Sequence, residues 1–518
     1  MTPSFPSTIS DLVRRSAARV PDRVALHAGP RSWTYRALDE AVSRVAARLL
    51  ELGLVKGDRV AGYGRNSDAY VLLFLGCARA GLVHVPVNYN VAGEELRYLV
   101  GQPECAAVFV DPSLSGQVDA IADGLPAVRH RGTLRDGDGA GAGDVLAWAT
   151  AEGPVPEVVA DVRDEDLAQL LFTSGTTSAP KGAMMTHRAL VHEYVSCIVA
   201  LDLDERDVPV HALPLYHSAQ MHVFLVPYLA LGATAHLVEA PDPADLLQRV
   251  ERDGITSLFA PPTVWIALGE HPDFGTRDLA TLTKAYYGAS IMPVPVLQRL
   301  REALPGVGFY NAFGQSEIGP LATVLRPEEH DARPDSAGRP VLFVELRVVD
   351  EDGREVADGE LGECVYRSPQ LCTGYWGKPE ATAEAFRDGW FRSGDLVRRD
   401  AEGYVFVVDR VKDVINTGGV LVASREVEEA LYTHPAVAEV AVIATPHERW
   451  IEAITAVVVL REDAAPEALI AHAKERLAAF KVPKAVHVVD VLPKNPSGKL
   501  LKRELRERFS GDGSAVAR

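Results

Sequence analysis

The chain has 518 residues, which is too long for one typical hydrophobic core and predicts two or three domains. Apolar residues make up 47% of the sequence and charged residues 24%, proportions that are typical of an ordinary globular protein. The formal net charge of -18 argues against nucleic acids and anionic membrane surfaces as partners, because both would be repelled. A polyanionic ligand must therefore find a local positive site.

The cysteines and the apolar runs indicate the compartment. The five cysteines are scattered without paired or metal-like spacing, which indicates reduced thiols in a cytosol rather than a disulfide framework. The amino terminus (MTPSFPSTIS) lacks the basic and then apolar pattern of a signal peptide. The longest apolar run, residues 70–77, is too short to span a bilayer. We therefore expect a cytoplasmic protein without integral membrane association.

The amino-terminal part of the sequence alternates between helix and strand patterns. Leu38, Val42, Val45 and Leu49 repeat at helical spacing, and Gly53 ends the pattern. The alternation predicts an α/β architecture with a largely parallel sheet. The predicted helices cover residues 7–19, 35–52, 68–80 and 94–100, the predicted strands cover residues 59–62, 83–87 and 106–110, and residues 131–144 are predicted to be a surface loop.

Residues 172–182 (FTSGTTSAPKG) have the clearest chemistry in the sequence. They follow a short apolar run and offer hydroxyls, backbone N–H groups and one lysine, the groups that surround a polyphosphate. The run is not a Walker A motif, because its lysine lies six residues after Gly175 and is followed by glycine. A solvated turn between two elements is the alternative interpretation. The candidate phosphate-binding residues are Thr173, Ser174, Gly175, Thr176, Thr177 and Lys181.

Three histidines, His211, His217 and His222, follow a predicted helix at residues 187–200. Their spacing fits neither a helical nor a hairpin metal site, so we reject zinc. The apolar surroundings of His211 and His222 favour a structural role for both. Farther along the chain, apolar segments at residues 255–260 and 285–287 are predicted to be buried strands. The second strand leads into the small residues Gly288, Ala289 and Ser290, where a flat ligand could approach the backbone.

Two later segments combine polar groups with turn residues. Residues 310–317 (YNAFGQSE) bring an aromatic ring, a glycine, a hydroxyl and a carboxylate together, although Phe313 could be a core residue and Glu317 a solvated end. Residues 389–395 (GWFRSGD) are predicted to be a turn that ends in the carboxylate of Asp395, which suits the two vicinal hydroxyls of a ribose. Without context, such a segment is more often an ordinary turn.

The composition changes after Leu396. Residues 398–413 are charged, contain a short predicted strand at residues 404–408, and make a plausible hinge. Residues 414–510 then predict a small α+β unit. Its loop at residues 492–500 (LPKNPSGKL) carries Lys499 and is predicted to be exposed and mobile. The predicted elements of this unit are helices at residues 425–432, capped by Ser424, and 467–480, strands at residues 440–443, 454–460 and 486–489, and a disordered tail from Gly511.

Taken together, these segments resemble the adenylate-forming superfamily of acyl-CoA synthetases, luciferases and peptide-synthetase adenylation domains. The resemblance covers nearly the whole chain. Residues 173–182 are similar to the family's phosphate loop, TSGTTGxPKG, with Ser178 in place of a glycine, and residues 313–317 are similar to its YGxTE motif. The resemblance implies a large amino-terminal domain of mixed, mostly parallel sheets with helices (residues 1–409) and a small, mobile α+β carboxy-terminal domain (residues 410–518).

The resemblance also implies roles for residues of the nucleotide site. Phe313 would stack on adenine in place of a tyrosine, Ser316 would contact phosphate in place of a threonine, and Glu317 would hold Mg²⁺. Asp395 matches the aspartate that binds ribose, and Arg410 matches the arginine beside it. The other positions assigned to ATP are the phosphate-loop residues named above, with Thr176 also near the metal, and Gly288, Ala289, Ser290, Asn311, Gly314 and Gln315.

A second set of implied roles concerns the small domain and the acyl group. Lys412 matches the hinge position and Lys499 the catalytic lysine of the small domain. Gly418 and Gly419 would allow close approach of a pantetheine arm. His217 matches the histidine or aromatic gate of the acyl pocket.

The implied activity is a two-step ligation that uses ATP and Mg²⁺. A carboxylic acid would be activated to an acyl-adenylate with release of pyrophosphate, and the acyl group would pass to CoA, giving acyl-CoA and AMP. We expect CoA as the acceptor because the sequence carries no appended carrier domain. An acyl- or aryl-AMP ligase that loads a carrier protein or activates another oxyanion is an alternative, and a non-catalytic nucleotide-binding module is a less favoured one. Both a monomer and a homodimer fit the sequence.

The acyl pocket should be formed by residues 216–224, 261–265, 286–292 and 314–322. These stretches are mainly apolar and contain no arginine or lysine. The second charge of a dicarboxylate would stay unpaired there, at a cost of several kcal/mol. The sequence therefore predicts a monocarboxylic, apolar acid, either a short-to-medium fatty acid or an aryl acid. Gln220, where many relatives carry glycine, would narrow or polarise this pocket.

Overall fold

The computed structural model describes residues 7–136, 142–173, 179–290, 292–411, 413–417, 420–447, 450–494 and 500–509. None of the helices in these ranges has the length and apolar character needed to cross a bilayer. All five cysteines lie in the described ranges, where each is a buried free thiol.

One sheet delivers the predicted phosphate loop. Its central strand Val83–Val87 is buried at every position, as expected where helices cover both faces of a parallel sheet. The last two strands pair antiparallel and flank the predicted loop. The strand order is His130–Thr133, Ala107–Val110, Arg59–Tyr63, Val83–Val87, Leu167–Thr173 and Lys181–Thr186, with parallel pairing up to Leu167–Thr173.

A second, larger sheet carries the turn after residue 288 and the segment that contains Glu317. Its central strands are parallel, and antiparallel strands close both edges. The strand order is Arg339–Pro340, Thr323–Leu325, Gly308–Phe313, Lys284–Gly288, Ser257–Ala260, Pro209–His211, Ala235–Leu237, Val24–Ala28 and Arg31–Thr34.

Helices pack on these two sheets, and their ends follow local sequence signals. Thr186 caps the helix His187–Ala200 through a bond from the Ala189 N–H, so this helix starts directly where the strand Lys181–Thr186 ends. The other α-helices of this region are Ile9–Arg19, Tyr35–Glu51, Asp68–Ala80, Gly93–Gly101, Ser115–Asp119, Val145–Ala149, Val226–Leu231, Pro243–Asp253, Pro262–Glu270, Val294–Ala303 and Pro379–Ala385.

A third sheet, which is antiparallel, was not anticipated from the sequence. It corrects the prediction of a turn at residues 389–395, because Asp395 lies within the strand Trp390–Arg399. Gly394 has a φ of 73°, and the strand register shifts just after it, so the Gly-Asp pair marks an irregularity in a strand. The strands are Glu345–Val349, Leu361–Arg367, Phe386–Arg387, Trp390–Arg399 and Val405–Arg410.

The carboxy-terminal part forms a separate small sheet with helices beside it. The predicted cap Ser424 is the first residue of its helix; Ala423 takes the cap position, and the Ser424 hydroxyl donates to Asp409 over 2.7 Å. The predicted helix at residues 467–480 ends earlier, at Lys474. The strands are Ile415–Thr417, Val420–Val422, Val437–His447, Ile451–Leu460 and Ala485–Val488, and the α-helices are Ser424–Tyr432, Pro466–Lys474 and Lys502–Phe509.

The predicted fold class is confirmed: a large α/β region of mainly parallel sheets precedes a smaller carboxy-terminal domain. One further detail was wrong. The predicted surface loop at residues 131–144 begins with a strand, His130–Thr133, at the edge of the first sheet.

Candidate active site

Glu317 lies where two distant chain segments meet. The hydroxyls of Thr173 and Tyr375 both donate to its Oε1 atom over 3.0 Å. The carboxylate is buried, with only 8% of the residue exposed. Burial and then the charge of Glu317 raise the pKa of the Tyr375 phenol, so it remains a proton donor to the carboxylate. Both bonds go to one oxygen, and Oε2 has no hydrogen-bond partner among the described residues.

The phosphate-loop region contributes a positive charge at the same place. Lys181 begins the strand after the loop, and its Nζ atom lies 5.1 Å from the centroid of the Tyr375 ring. Ring faces attract cations at such distances, so Tyr375 contacts both the lysine and the glutamate. Four predicted loop residues lie outside the described part of the chain: Ser174, Gly175, Thr176 and Thr177.

The turn after the strand Lys284–Gly288 brings backbone very close to the neighbouring strand. A Cβ atom on Gly288 would lie 2.2 Å from the carbonyl oxygen of Ala312, so only glycine fits. Ala289 then takes a left-handed φ of 64°, which is uncommon for a residue with a side chain. Gly314 has the same restriction, since its Cβ would lie 2.0 Å from the oxygen of Pro320. Both glycines therefore lie directly against neighbouring backbone, and the approach of a flat ligand to Gly288, Ala289 and Ser290 stays a prediction.

Side chains of the segment at residues 311–316 have different partners. The Asn311 amide donates to the carbonyl of Ser336 over 2.9 Å and so fixes a loop. The Ser316 hydroxyl pairs with that of Ser218 at 2.9 Å. Phe313 is half-buried at the end of its strand. Gln315 has a buried Nε2 atom without a hydrogen-bond partner among the described residues, which marks it as a donor available to a ligand.

Asp395 and Arg410 face each other on adjacent antiparallel strands. Arg410 Nε lies 2.6 Å from Asp395 Oδ1, and the side chain of Asp395 is 4% exposed against 37% for that of Arg410. The pairing predicted from the sequence is therefore present as a contact. A buried carboxylate oriented by a guanidinium is a rigid acceptor for hydroxyl groups.

His217 lies two residues before a π-helix, Ala219–Leu225. Burial lowers the pKa of its ring to about 4, so the imidazole is neutral at pH 7. Its Nε2 atom is buried and has no hydrogen-bond partner within the described ranges. A π-helix is a rare element that occurs often at functional sites.

The other two histidines of this segment belong to the interior, in agreement with the structural role predicted for them. His222 Nε2 lies 2.6 Å from Gln169 Oε1, and its Nδ1 lies 2.9 Å from the Tyr194 hydroxyl. His211 Nδ1 lies 2.7 Å from Gln220 Nε2. Gln220 Oε1 also accepts from the Leu213 N–H, so both ends of its amide are used inside the fold and the predicted effect on pocket polarity is not supported.

The structure thus brings Thr173, Lys181 and Glu317 together, and it pairs Asp395 with Arg410. Sequence reasoning missed Tyr375, which lies 58 residues from Glu317. Tyr375 stands in the run Gly-Tyr-Trp, which contains no charged side chain and did not indicate a site residue. Lys412, Gly418, Gly419 and Lys499 lie outside the described residues, so their predicted roles stay predictions.

Comparison with known proteins identifies the family. Residues 13–376 match the AMP-binding enzyme family, and residues 426–499 match the AMP-binding enzyme C-terminal domain. The chain belongs to the AMP-binding enzyme family. It is thus an adenylate-forming enzyme, and the predicted class, an AMP-forming acid–thiol ligase, is confirmed.

Similar proteins share nearly the full length. A feruloyl-CoA synthase of Amycolatopsis sp is 36% identical over 497 residues, which cover 96% of this chain and 98% of that protein. The solved anthranilate CoA ligase AuaEII, in complex with anthranoyl-AMP, has a TM-score of 0.90 at 26% identity and covers 98% of both chains. ATP-bound MatB from Rhodopseudomonas palustris has a TM-score of 0.88 at 30% identity and covers 97% of this chain and 99% of that one.

Proposed function

We propose that this AMP-binding enzyme activates a compact, apolar monocarboxylic acid with ATP and transfers the acyl group to CoA. The observation that carries the proposal is the buried Glu317 carboxylate, held by the hydroxyls of Thr173 and Tyr375 beside Lys181. A carboxylate and a lysine at the edge of a phosphate loop suit a metal-bound triphosphate. ATP-bound MatB supports the nucleotide.

The donors around Glu317 fit Mg²⁺. This ion prefers oxygen ligands and usually takes one or two carboxylates together with substrate phosphates and waters. Glu317 supplies the carboxylate, and Thr173 and Tyr375 supply hydroxyls that orient it. Within the described ranges no three His, Cys, Asp or Glu side chains cluster, so the remaining ligands would come from phosphates and water. Bound Mg²⁺ would neutralise charge on the phosphates.

Different side chains of the protein bind different parts of the nucleotide during adenylation. Asp395, oriented by Arg410, accepts hydrogen bonds from the ribose hydroxyls. Phe313 stacks on the adenine ring, which approaches the backbone at residues 288–290. Lys181 and Ser316 meet the phosphates. Preorganised charges of this kind stabilise the charge that develops as the acid attacks the α-phosphate.

The second half of the proposal concerns the small domain, which we assign to residues 410–518 with residues 1–409 as the large domain. Lys499 brings its ammonium group to the nucleotide during adenylation. Rotation about Lys412 then moves Lys499 away from the site and lets the thiol of CoA approach past Gly418 and Gly419. The family match to a carboxy-terminal domain supports this division. A hinge that absorbs the dihedral change is a common way to let one site perform two steps.

The size of the acid follows from the packing around Phe224, within the stretches predicted to form the acyl pocket. Phe224 of the π-helix stacks on Phe259 with ring centroids 4.5 Å apart and meets Tyr286 at 4.9 Å. Tyr228 and His211 line the same space, which is too small to hold a water molecule. A long chain would have to displace these rings. An aryl acid, or a short-to-medium fatty acid, would need less displacement, and the feruloyl-CoA and anthranilate CoA enzymes support the aryl choice.

The test is ATP–pyrophosphate exchange across benzoates, cinnamates, fatty acids of increasing length, malonate and succinate. We expect the fastest exchange with an aryl or a short monocarboxylic acid, and the fastest exchange with malonate or succinate would contradict the pocket argument. Mass spectrometry of the products with CoA present tests the acceptor. Adenylate that accumulates with CoA but is consumed by a carrier protein or an amine would show that CoA is the wrong acceptor.

The buried, unpaired cysteines are compatible with a reducing compartment, and we place the enzyme in the cytoplasm. Neither monomer nor homodimer is favoured by the described surface.

A further inference from the structure

Glu193 is a fully buried carboxyl group outside the nucleotide site. It lies on the helix His187–Ala200, which starts directly after the strand that carries Lys181. None of its surface is exposed, and burial raises its pKa well above the usual range. A buried carboxyl group is costly unless its oxygens are used, and both oxygens of Glu193 are used.

Two partners of Glu193 come from segments that contact Glu317, and a third is the Cys197 thiol on the same helix, 3.4 Å from Oε1. Glu193 Oε1 accepts from the Leu321 N–H over 3.0 Å, and Glu193 Oε2 accepts from Gln370 Nε2 over 2.7 Å. The same Gln370 nitrogen lies 3.3 Å from the carbonyl oxygen of Ile318 and 3.1 Å from that of Leu321. One carboxyl group and one amide therefore hold both the start and the end of the segment at residues 318–321.

That segment and its neighbour fix the environment of Glu317. The Cys372 N–H donates to the carbonyl oxygen of Glu317 over 2.8 Å, and Tyr375, three residues later, donates to its carboxylate. The space around these hydrogen bonds is tight, because a Cβ atom on Gly319 would lie 2.9 Å from Glu193 Oε2. A shift of residues 318–321 would therefore move Glu317 against Thr173 and Tyr375.

We propose that Glu193 is a positioning residue that, with Gln370, sets the Glu317 carboxylate for its metal–nucleotide complex. The inference rests on the proposed function of Glu317. Glutamate suits this place because each of its two oxygens accepts a hydrogen bond from an N–H group. A glutamine would place its own NH₂ group against one of these donors, and that hydrogen bond would be lost. Outer partners that orient a ligand typically change metal affinity or activity by 10–100-fold when they are removed.

The experiment compares wild type with Glu193→Gln in two measurements. The first is the Mg²⁺ dependence of ATP–pyrophosphate exchange, in which we expect the half-saturating Mg²⁺ concentration to rise about 10-fold. The second needs no turnover: the gain in melting temperature from ATP with Mg²⁺ over ATP with EDTA should shrink in the variant. Transfer of a preformed acyl-adenylate to CoA should change little.

Tyr35→Phe is the matched control. It removes a buried hydrogen bond, from the Tyr35 hydroxyl to the Ala233 carbonyl at 2.7 Å, with no link to Glu317. It should lower stability without altering Mg²⁺ dependence. If Glu193→Gln behaves like this control, or if both half-reactions fall equally, the positioning role is wrong.

Gln370→Met carries the test if Glu193→Gln does not fold, since it keeps the side-chain length and removes the amide. An unchanged Mg²⁺ response in this variant would also overturn the inference. Failure of the proposed function is distinguishable, because wild type itself would then show no exchange with any acid.

Discussion

Tyr375 donates its hydroxyl hydrogen to Glu317 over 3.0 Å, and no motif in the sequence pointed to this contact. Replacement of Tyr375 by Phe should leave the ring beside Lys181 and remove only the bond. Hydrogen bonds to a charged group contribute about 1.5–3 kcal/mol, so we expect adenylation to fall by roughly 10–100-fold. The measurement is ATP–pyrophosphate exchange at saturating acid.

Tyr70→Phe serves as the control for this variant. The Tyr70 hydroxyl is buried and has no hydrogen-bond partner among the described residues, so its removal should be neutral or slightly stabilising. Equal activity of the two variants would show that the Tyr375 hydroxyl has no role in orienting Glu317.

Lys499 gives the prediction that tests the two-step scheme. Lys499→Ala should lower adenylation by roughly 10²–10³-fold, the scale for one transition-state charge contact. The thioester step from preformed acyl-adenylate should be affected much less, because the lysine is expected to leave the site before that step. Each half-reaction is measured separately by rapid quench. A similar loss in both half-reactions would indicate that Lys499 acts mainly on folding.

Phe224 should limit the size of the acid. Phe224→Val removes most of the ring that stacks on Phe259, and the space should admit larger acids. One methylene in an apolar pocket changes specificity by roughly 10–200-fold, so kcat/KM should shift toward longer acids by at least about 10-fold. The measurement is the ratio of kcat/KM for two acids that differ in length.

Phe109→Val is the matched control for Phe224→Val. Phe109 is buried in the strand Ala107–Val110 of the first sheet, against Trp148 and outside the stretches predicted to form the acyl pocket. This variant should lose a similar amount of stability and keep the preference for acids unchanged. A similar shift in both variants would mean that loosening of the fold, and not the pocket wall, causes it.

The sequence was sufficient to predict the parallel sheets. It also pointed to residues that the structure brings together, namely Thr173 and Lys181 with Glu317, and Asp395 with Arg410. The alternation of helix and strand patterns predicted strands such as Val83–Val87, which is buried at every position as a central strand of a parallel sheet is. The segment that ends at Asp395 was predicted as a turn because Gly389 and Gly394 are turn residues. Gly389 does lie in the turn before the strand Trp390–Arg399, whereas Gly394 lies within that strand. Glycines in a sequence do not distinguish a turn between strands from an irregularity within one strand.

The contacts that fix the site could not be predicted. Tyr375 lies 58 residues from Glu317, and Glu193 lies 128 residues from Leu321. Each pair forms only when separate elements pack together, and neither residue stands in a polar motif. Buried hydrogen bonds of this kind are a property of the tertiary structure, so a sequence pattern indicates the ligand-facing residues but not those that hold them.

Buried histidines should make the protein less stable in mild acid. Burial lowers the pKa of His84 to about 3, whereas an unfolded histidine titrates near 6.5. The unfolded state therefore binds more protons below pH 6.5, and the stability from neutral His84 is lost as pH falls. This residue alone should lower the free energy of unfolding by about 2 kcal/mol between pH 7 and pH 5.

Urea unfolding at pH 7 and pH 5 measures this effect. His84→Gln should reduce the pH dependence, whatever its effect on stability at pH 7. Tyr35→Phe should lower stability at both pH values and leave the difference as in wild type. An unchanged difference in His84→Gln would show that His84 takes up its proton without unfolding.

Ile451 offers a test of backbone strain in the small domain. This β-branched residue has a left-handed φ of 67°, and it is 61% exposed, so packing does not explain its presence. The left-handed conformation costs about 1–2 kcal/mol in a residue with a side chain, while a glycine loses about 0.5–1 kcal/mol in conformational entropy on folding. Ile451→Gly should therefore raise the free energy of unfolding by about 0.5–1 kcal/mol, measured by urea denaturation.

Val488→Gly is the control, at a strand residue that is 48% exposed. It should instead lower the free energy of unfolding by a similar amount, because no left-handed φ is relieved there. If both variants lose stability equally, the conformation of Ile451 carries no strain.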